Sequence, residues 1–507
     1  MKQTKGASFK LFLIMAAISL VVAACGSNEP DSSTTSSSSP TEITIMSTFF
    51  TPEPPDENDP IKKELEARTN TKLSITWVSP NNYTEKSNVT LASGDMPDLL
   101  LMLDPFDPQV KILSEQGALW DLTPFIAEYP NLSGSFPQES WDNLKFKGGI
   151  YGIPRVRPLE GGSLPLLRND WLQNLNLSYP TTMDELFDVL KAFTENDPDG
   201  NQIKDTVGLA VNVNTDDMGN LGFVEYVFNR SFGSWKLLDN GNLTHIALQP
   251  ETREALEWTV KAYQAGIISE DFATLKASQL RDLVKANKAG GWLDAVKPSW
   301  LLTGEMRKTN PKADLLAASY LEGPSGKYAP QGEGSYGMFV IPKSVKEDKL
   351  RKILDFMEYG ASEDGWVLAN FGLENEHFTL EEDLRKNTEV GATVLSRSGM
   401  PQIISNLDKY ERGVQVGIPL DFYKRNKEVL DARSEVSVKN AAFGLSSETY
   451  DKFGKEYEKK MTDLKVKIII GSESIDAWDQ YVETLKADKQ FIQMIDEMNE
   501  AYQVKNQ

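Results

Sequence analysis

The sequence predicts an α/β protein built as two lobes, and three observations lead there. The chain has 507 residues, 40% hydrophobic and 25% charged, which is a globular composition with length for two domains of ordinary size. Its body opens on strand-like and helix-like units in βαβαβ order. The same alternation continues toward the C-terminus, which fits neither a sandwich nor a helix bundle.

Ile43-Thr44-Ile45 alternates as a first strand. Asp59 then caps a helix with Pro60 at its first position, where a missing N–H costs nothing, and Ile61 and Leu65 share one face. Leu73, Ile75 and Trp77 alternate as a second strand, and about Tyr83 to Ala92 reads as helix. The continuous run Leu99 to Leu103 is the pattern of a strand covered on both faces of a parallel sheet. A doubly wound sheet places its crevice beyond the carboxyl ends of its strands, which points to the loops Ser47 to Phe50 and Asp104 to Phe106.

Farther along, Thr182 and Glu185 make a capping box ahead of Leu186, Val189, Leu190 and Phe193. Val207 to Val211 reads as a strand. Pro250 starts a helix with Leu256, Val260 and Tyr263 inward and Gly266 as its left-handed stop. Ser344 and Glu347 repeat the capping box before Leu350, Ile353, Leu354 and Met357, with Gly360 as the expected end. From about Ser474 the chain is helical, with Trp478, Val482 and Leu485, then Phe491, Met494, Ile495 and Met498, at three- and four-residue spacings. Trp258, Trp366 and Trp478 lie on apolar helix faces and read as packing.

Charge and composition exclude several functions. With 74 acids against 53 bases the formal charge is −21, so no affinity for nucleic acid or anionic lipid surfaces is expected. Two histidines and one cysteine leave no zinc finger, disulfide framework or His-centred triad. Gly332, Gly334 and Gly337 satisfy G-x-G-x-x-G, but no strand precedes them and the apolar run after them ends at Pro342 instead of opening a helix. The nucleophile-elbow pattern fails because its first position is Glu333. Paired glycosidase carboxylates have no spacing rule that would select one pair here.

The N-terminus explains the single cysteine. Lys2, Lys5 and Lys10 precede the apolar run Leu11 to Ala24, and Val22-Ala23-Ala24 places small residues before Cys25. This predicts a lipoprotein signal peptide over 1–24 and a lipid (palmitate) on Cys25. The run is too short to span a bilayer, so the lipid is the expected membrane contact. Loss of Met1 to Ala24 removes three lysines and no acid, leaving −24. Residues 25–40, rich in Ser, Thr and Pro, cannot bury a core and read as a flexible tether.

One segment carries ligand chemistry. Asp197-Pro198-Asp199-Gly200-Asn201-Gln202-Ile203-Lys204-Asp205 sets oxygen donors at positions 1, 3, 5 and 9, with the Ile203 carbonyl at 7, as in an EF-hand calcium loop. It departs in two places: glycine stands at position 4 instead of 6, and position 12 is Gly208. Structural Ca²⁺ held by Asp197, Asp199, Asn201, Ile203 and Asp205 is the expectation, with a plain Asp-Gly-Asn turn as the alternative.

Together with that loop, the Ser/Thr stalk and the lipoprotein start, five further motifs carry a family resemblance. They are Ala92-Ser93-Gly94-Asp95-Met96-Pro97-Asp98, Gly149-Ile150-Tyr151-Gly152-Ile153-Pro154, Leu167-Arg168-Asn169-Asp170-Trp171-Leu172, Tyr179-Pro180-Thr181-Thr182-Met183-Asp184-Glu185-Leu186 and Phe371-Gly372-Leu373-Glu374-Asn375-Glu376-His377-Phe378-Thr379-Leu380. In this order they resemble the extracellular solute-binding lipoproteins of carbohydrate ABC importers, in the LipO-like branch similar to alginate-oligosaccharide-binding proteins. The resemblance implies a two-lobe periplasmic-binding-protein-like fold of type II, with a hinge of crossing segments and an inter-lobe cleft. It implies residues 41–157 and 340–419 in the N-terminal lobe and 158–339 and 420–507 in the C-terminal lobe. It further implies a monomer, anchored on the outer face of a Gram-positive cytoplasmic membrane, that captures an oligosaccharide and hands it unchanged to ABC permease subunits. A glycan-sensing or adhesive lipoprotein without import and a secreted glycan-cleaving enzyme are the alternatives.

Sugar faces pack on aromatic rings, and their hydroxyls need fixed donors and acceptors. Trp292 after Gly290-Gly291, Tyr336 in the glycine-rich loop, Trp300 and Trp235 are the candidate platforms, with Phe49 and Phe50 after the first strand. Arg155, just after Gly152-Ile153-Pro154, and Glu333 are the polar candidates, with Arg157 next in line. Two arginines on the cleft would make a uronate-bearing ligand plausible, because a guanidinium fork matches a carboxylate.

Overall fold

The computed structural model describes residues 39–506 apart from 52, 406–407, 414–416 and 446. The signal peptide, Cys25 and all but the last two residues of the tether lie outside the described residues. In chain order the strands that position the site are β1 (Thr41–Thr48), β2 (Thr71–Val78), β3 (Leu99–Met102), β4 (Ile153–Val156), β5 (Leu164–Arg168), β6 (Gly291–Asp294), β7 (Leu315–Ala317) and β8 (Ser335–Val340).

The first sheet has the order β2-β1-β3-β8-β4. β1 pairs parallel with β2 and β3, whereas β8 runs antiparallel to both β3 and β4. The carboxyl ends of β1 to β4 therefore share one edge with the amino end of β8. Helix α1 (Pro60–Thr69) connects β1 to β2. It starts as its cap predicts, with Asp59 Oδ1 accepting from Ile61 N–H at 2.9 Å. Helix α2 (Pro80–Ser93) leads to β3, and Leu99, Leu100 and Leu101 are all fully buried. Asp98 fastens the turn into β3: its Oδ2 accepts from Thr44 N–H and Oγ1, each at 2.7 Å, and from Lys349 Nζ at 2.8 Å.

The second sheet, β6-β5-β7, is antiparallel. Val207 to Val211 joins it through isolated bridges instead of a full ladder, running parallel to β6 with Val207 opposite Ala289 and Ala210 opposite Trp292. Helix α3 (Met183–Glu195) carries the expected capping box, helix α4 (Pro250–Gln264) starts at its proline, and Gly266 adopts φ +68°.

Apolar burial separates into two main clusters. One runs through Ile43 to Val156 and Met338 to Ile404; the other runs through Leu164 to Ala329 and Tyr457 to Met498. The chain crosses between them at about 157–163 and 330–335, and a third time after Ile404. The first two crossings pair with each other, Arg157 N–H on Gly334 O at 3.0 Å and Gly332 N–H on Leu159 O at 2.7 Å.

Three expectations change. Residues 335–339, expected in the second lobe, belong to β8 and bond to the first sheet. Ser344 lies in a turn, and the helix Glu347–Ala361 takes Lys346 as its N-cap, so Glu347 is its first residue and no capping box forms. Gly360 does not end that helix. A Cβ there would lie 2.4 Å from Ile404, so glycine serves a close approach within the first cluster. No helix of the described residues is long and apolar enough to cross a membrane.

Candidate ligand cleft

The carboxyl edge of the first sheet faces the crossings, and it carries buried polar groups that the fold does not fully satisfy. At the end of β1, Thr48 is fully buried and its hydroxyl has no partner among the described residues. On β4, Arg155 is 1% exposed. Its Nη1 donates to Tyr336 O at 3.2 Å and its Nη2 to Gln402 Oε1, while Nε has no partner among the described residues. Both acceptors are neutral. Burial, with the neighbouring Arg157 cation adding to it, pushes the Arg155 guanidinium down to about 9. Arg157 is also held below its ordinary value, by burial first; Glu411 opposes that shift and Arg412 reinforces it.

The second lobe brings its own edge to the same seam. Because Asp294 sits opposite Leu164, the first residue after the crossing, the end of β6 faces the junction. Asp294 accepts from Arg281 Nε at 2.8 Å and from Trp292 Nε1 at 3.0 Å. Just beyond it, Lys297 N–H donates to Arg412 O at 2.8 Å and Lys297 Nζ pairs with Glu411 at 3.0 Å. An aromatic contact also bridges the seam: Phe106, after β3, meets Phe443 edge to face at 5.5 Å.

Tyr336 is 48% exposed at the start of β8, with the Arg155 guanidinium 5.2 Å from its ring centre. Glu333 is half-buried on the crossing, its carbonyl accepting from Asn143 Nδ2 at 2.9 Å. Phe49 is half-buried and Phe50 exposed on the loop after β1. Trp300, on α5 (Pro298–Met306), is half-buried against a small cluster with Ile418 and Phe422. Two candidates are corrected. Trp292 is 1% exposed and packs in a core cluster with Leu166 and Leu315. Trp235 is 4% exposed and packs edge to face on His245 and Tyr450. Neither offers a ring face to a ligand. Residues that motif reading missed are Thr48, Lys297, Gln402, Glu411 and Arg412. Only the basic pair Arg155 and Arg157 hinted that further charge would gather there.

Among the described residues no three carboxylate, thiol or imidazole side chains form a ready metal cage. The Asp197 loop is folded around its own amides: Asp197 accepts from Asn201 and Gln202 N–H at 3.0 Å each, Asn201 Oδ1 from Ile203 N–H at 2.6 Å, and Asp205 pairs with Lys288. The glycine displaced in sequence is replaced in conformation, because Gln202, at position 6, adopts φ +62°. Burial raises the Asp199 carboxyl, and Asp197 and Asp205 raise it further, against the Asn201 N–H that stabilises the anion. Asp197 and Asp205 thus lie near enough to Asp199 to act on its charge, and hard oxygens such as those of this loop are the donors that Ca²⁺ takes.

A family model for bacterial extracellular solute-binding proteins matches residues 52–365. The chain belongs to that family. The proteins it resembles include Lipoprotein LipO of Bacillus subtilis, 30% identical over 94% of this chain and 95% of that protein. The polygalacturonan/rhamnogalacturonan-binding protein YtcQ of the same organism is 28% identical over 97% of this chain and 99% of that protein. Among solved structures, alginate-binding protein AlgQ2, determined without calcium ion, aligns with a TM-score of 0.60 at 23% identity, covering 92% of this chain and 98% of that one. YtcQ and AlgQ2 are named as binding proteins. The fold is the two-lobe solute-binding fold. Both histidines lie away from the seam: His245 packs between Trp235 and Phe491, and His377 accepts from Leu373 N–H at 2.9 Å.

Proposed function

We propose that this protein captures a uronate-containing oligosaccharide between its lobes, releases it unchanged and delivers it to an ABC permease. The observation that carries the ligand class is Arg155. It is a buried cation whose side-chain bonds reach only neutral oxygens, beside a second arginine, at the edge where the cleft opens. Such a pair is unfavourable until an anion arrives, and a carboxylate on a sugar ring supplies both the charge and the two acceptors a guanidinium fork takes. Tyr336 offers the exposed ring for the sugar face, with Phe50 and Trp300 as further platforms. The name of YtcQ, a polygalacturonan binder, supports the same chemistry.

The lobes are read as about 41–157 with 335–419, and 158–334 with 420–507, a division supported by the two apolar clusters. The lipid on Cys25 and the 25–40 tether would hold a monomer at the outer face of the membrane. Asp197, Asp199, Asn201, the Ile203 carbonyl and Asp205 would hold a structural Ca²⁺, whose role is to tie the loop after α3. The test of the ligand class is calorimetry with oligogalacturonides, their methyl esters and neutral fructans. Binding of the free acids alone is expected; equal binding of acid and ester would remove the uronate reading.

A further inference from the structure

The edge of the second lobe carries a pocket that the seam residues do not touch. The segments ending near Ile268, at Asn212 and at Asp294 run parallel: Leu209 bridges Ile268, and Ala210 bridges Trp292. Extending that register sets Asn212 level with Asp294, on the same junction-facing edge. Beyond these carboxyl ends lies a cavity of about 400 Å³ lined by Asn212, Asn214, Thr215, Thr274 and Lys276 among others. Asn212 is 4% exposed, and although its Nδ2 donates to Asn214 Oδ1 at 3.2 Å, its amide oxygen has no partner among the described residues. A buried amide oxygen left open at a cavity wall is costly unless something donates to it. Asn214, Thr215, Thr274 and Lys276 are exposed around it, so the opening is polar; Lys276 brings a cation to its lining, and the Asp217 carboxylate beside it accepts from Asn214 Nδ2 at 2.8 Å.

Resting on the uronate reading of the seam, we infer that this pocket takes a distal sugar unit of the same chain, and so makes the protein select for oligomer length. Two to three strand spacings separate it from Leu164, about 10–15 Å, which a short oligosaccharide spans. A ring hydroxyl donates to Asn212 Oδ1, and the carboxylate of the distal uronate meets Lys276. The pocket thus repeats, with one amide and one ammonium, the chemistry that Arg155 and Tyr336 provide at the seam. A chain too short to reach both stations gains nothing from the second.

The experiment is calorimetry of the full mature chain with galacturonate dimer and tetramer. The wild type is expected to bind the tetramer about tenfold tighter, the weight of one or two hydrogen bonds. Thr274→Trp, at an exposed position that tolerates bulk, fills the pocket and should bring the tetramer-to-dimer ratio close to one. Asn212→Ser should lower the same ratio, with circular dichroism and melting temperature reporting its fold. Arg155→Gln should weaken both ligands by a common factor and leave the ratio intact. A Thr274→Trp protein that keeps the wild-type ratio overturns the inference. Failure of the wild type to bind either acid sinks the uronate reading instead, and the ratio is then read with the neutral glycan series that does bind.

Discussion

Arg155→Gln tests the cleft chemistry most directly. In the free protein the Arg155 guanidinium is buried against Tyr336 O and Gln402 Oε1, with Arg157 raising the cost of its charge. A glutamine keeps an N–H donor but removes the cation and the second arm of the fork. If a uronate carboxylate completes the site, the variant leaves that carboxylate buried without its counter-ion, a loss of about 2–5 kcal/mol. At tenfold per 1.4 kcal/mol this is a Kd about 30- to 4,000-fold weaker. Isothermal titration with an oligogalacturonide and with its methyl ester separates charge from shape, because the ester never used the cation and should respond little. Thermal unfolding of the ligand-free variant serves as the control. Removing a buried charge that lacks a carboxylate should not lower the melting temperature, so lost binding would not be lost fold. An Arg155→Gln protein that binds the free acid within a factor of three of wild type would refute the reasoning.

Three further outcomes follow from the geometry. EDTA should lower the melting temperature, since calcium at a hundredfold above its Kd adds about 3 kcal/mol, and Gln202→Gly should stabilise the loop by about 0.5–1 kcal/mol by relieving its positive φ; no change with EDTA in differential scanning fluorimetry would remove the metal. Burial alone would raise the Asp98 carboxyl, but the Lys349 ammonium and the Thr44 donors outweigh it and hold it below its ordinary value of 3.8. Its contribution is therefore complete above pH 4 and lost as pH falls through the lowered native value, and Asp98→Ala should cost about 1–3 kcal/mol in urea unfolding at pH 7 and progressively less as pH falls below 4. Trp292→Ala should cost about 3–5 kcal/mol of stability, whereas Tyr336→Ala should leave stability within about 0.5 kcal/mol and weaken sugar binding about three- to tenfold in titration.

The parallel half of the first sheet was legible because its signals are local: Asp59-Pro60 starts a helix by its own hydrogen bond, and Leu99 to Leu101 are apolar without alternation because both faces are covered. Trp292 was misplaced for a related reason. On β6 the successive residues Gly291, Trp292 and Leu293 are all buried, so both of its faces are covered and alternation marks no outward side. Nothing in Gly290-Gly291-Trp292 distinguishes that strand from one ending at a cleft. The Asp197 loop shows the opposite case. Its glycine stands two positions early, yet Gln202 takes the left-handed backbone that glycine supplies in the reference pattern. Arg412, Glu411 and Lys297 carry no motif, because their meeting depends on how the third crossing passes the end of β6.

If the ligand is the uronate chain proposed above, an acidic protein binds an acidic glycan and meets a conflict between long and short range. The whole chain carries −21, so an approaching polyuronate is repelled at distances where the arginines at the seam are a minor part of the field. At contact the order reverses, because Arg155 is buried and water no longer weakens its attraction. Salt acts on the two ranges unequally. The screening length falls from about 30 Å at 0.01 M to about 8 Å at 0.15 M, which removes most of the distant repulsion but little of the buried pair. The association rate for an oligogalacturonide should therefore rise with ionic strength over this interval, while the dissociation rate stays nearly constant, the reverse of a ligand steered by opposite charge. Stopped-flow tryptophan fluorescence across the series measures both. An association rate that falls as salt is added would mean that the arginine edge, and not the net charge, governs the approach.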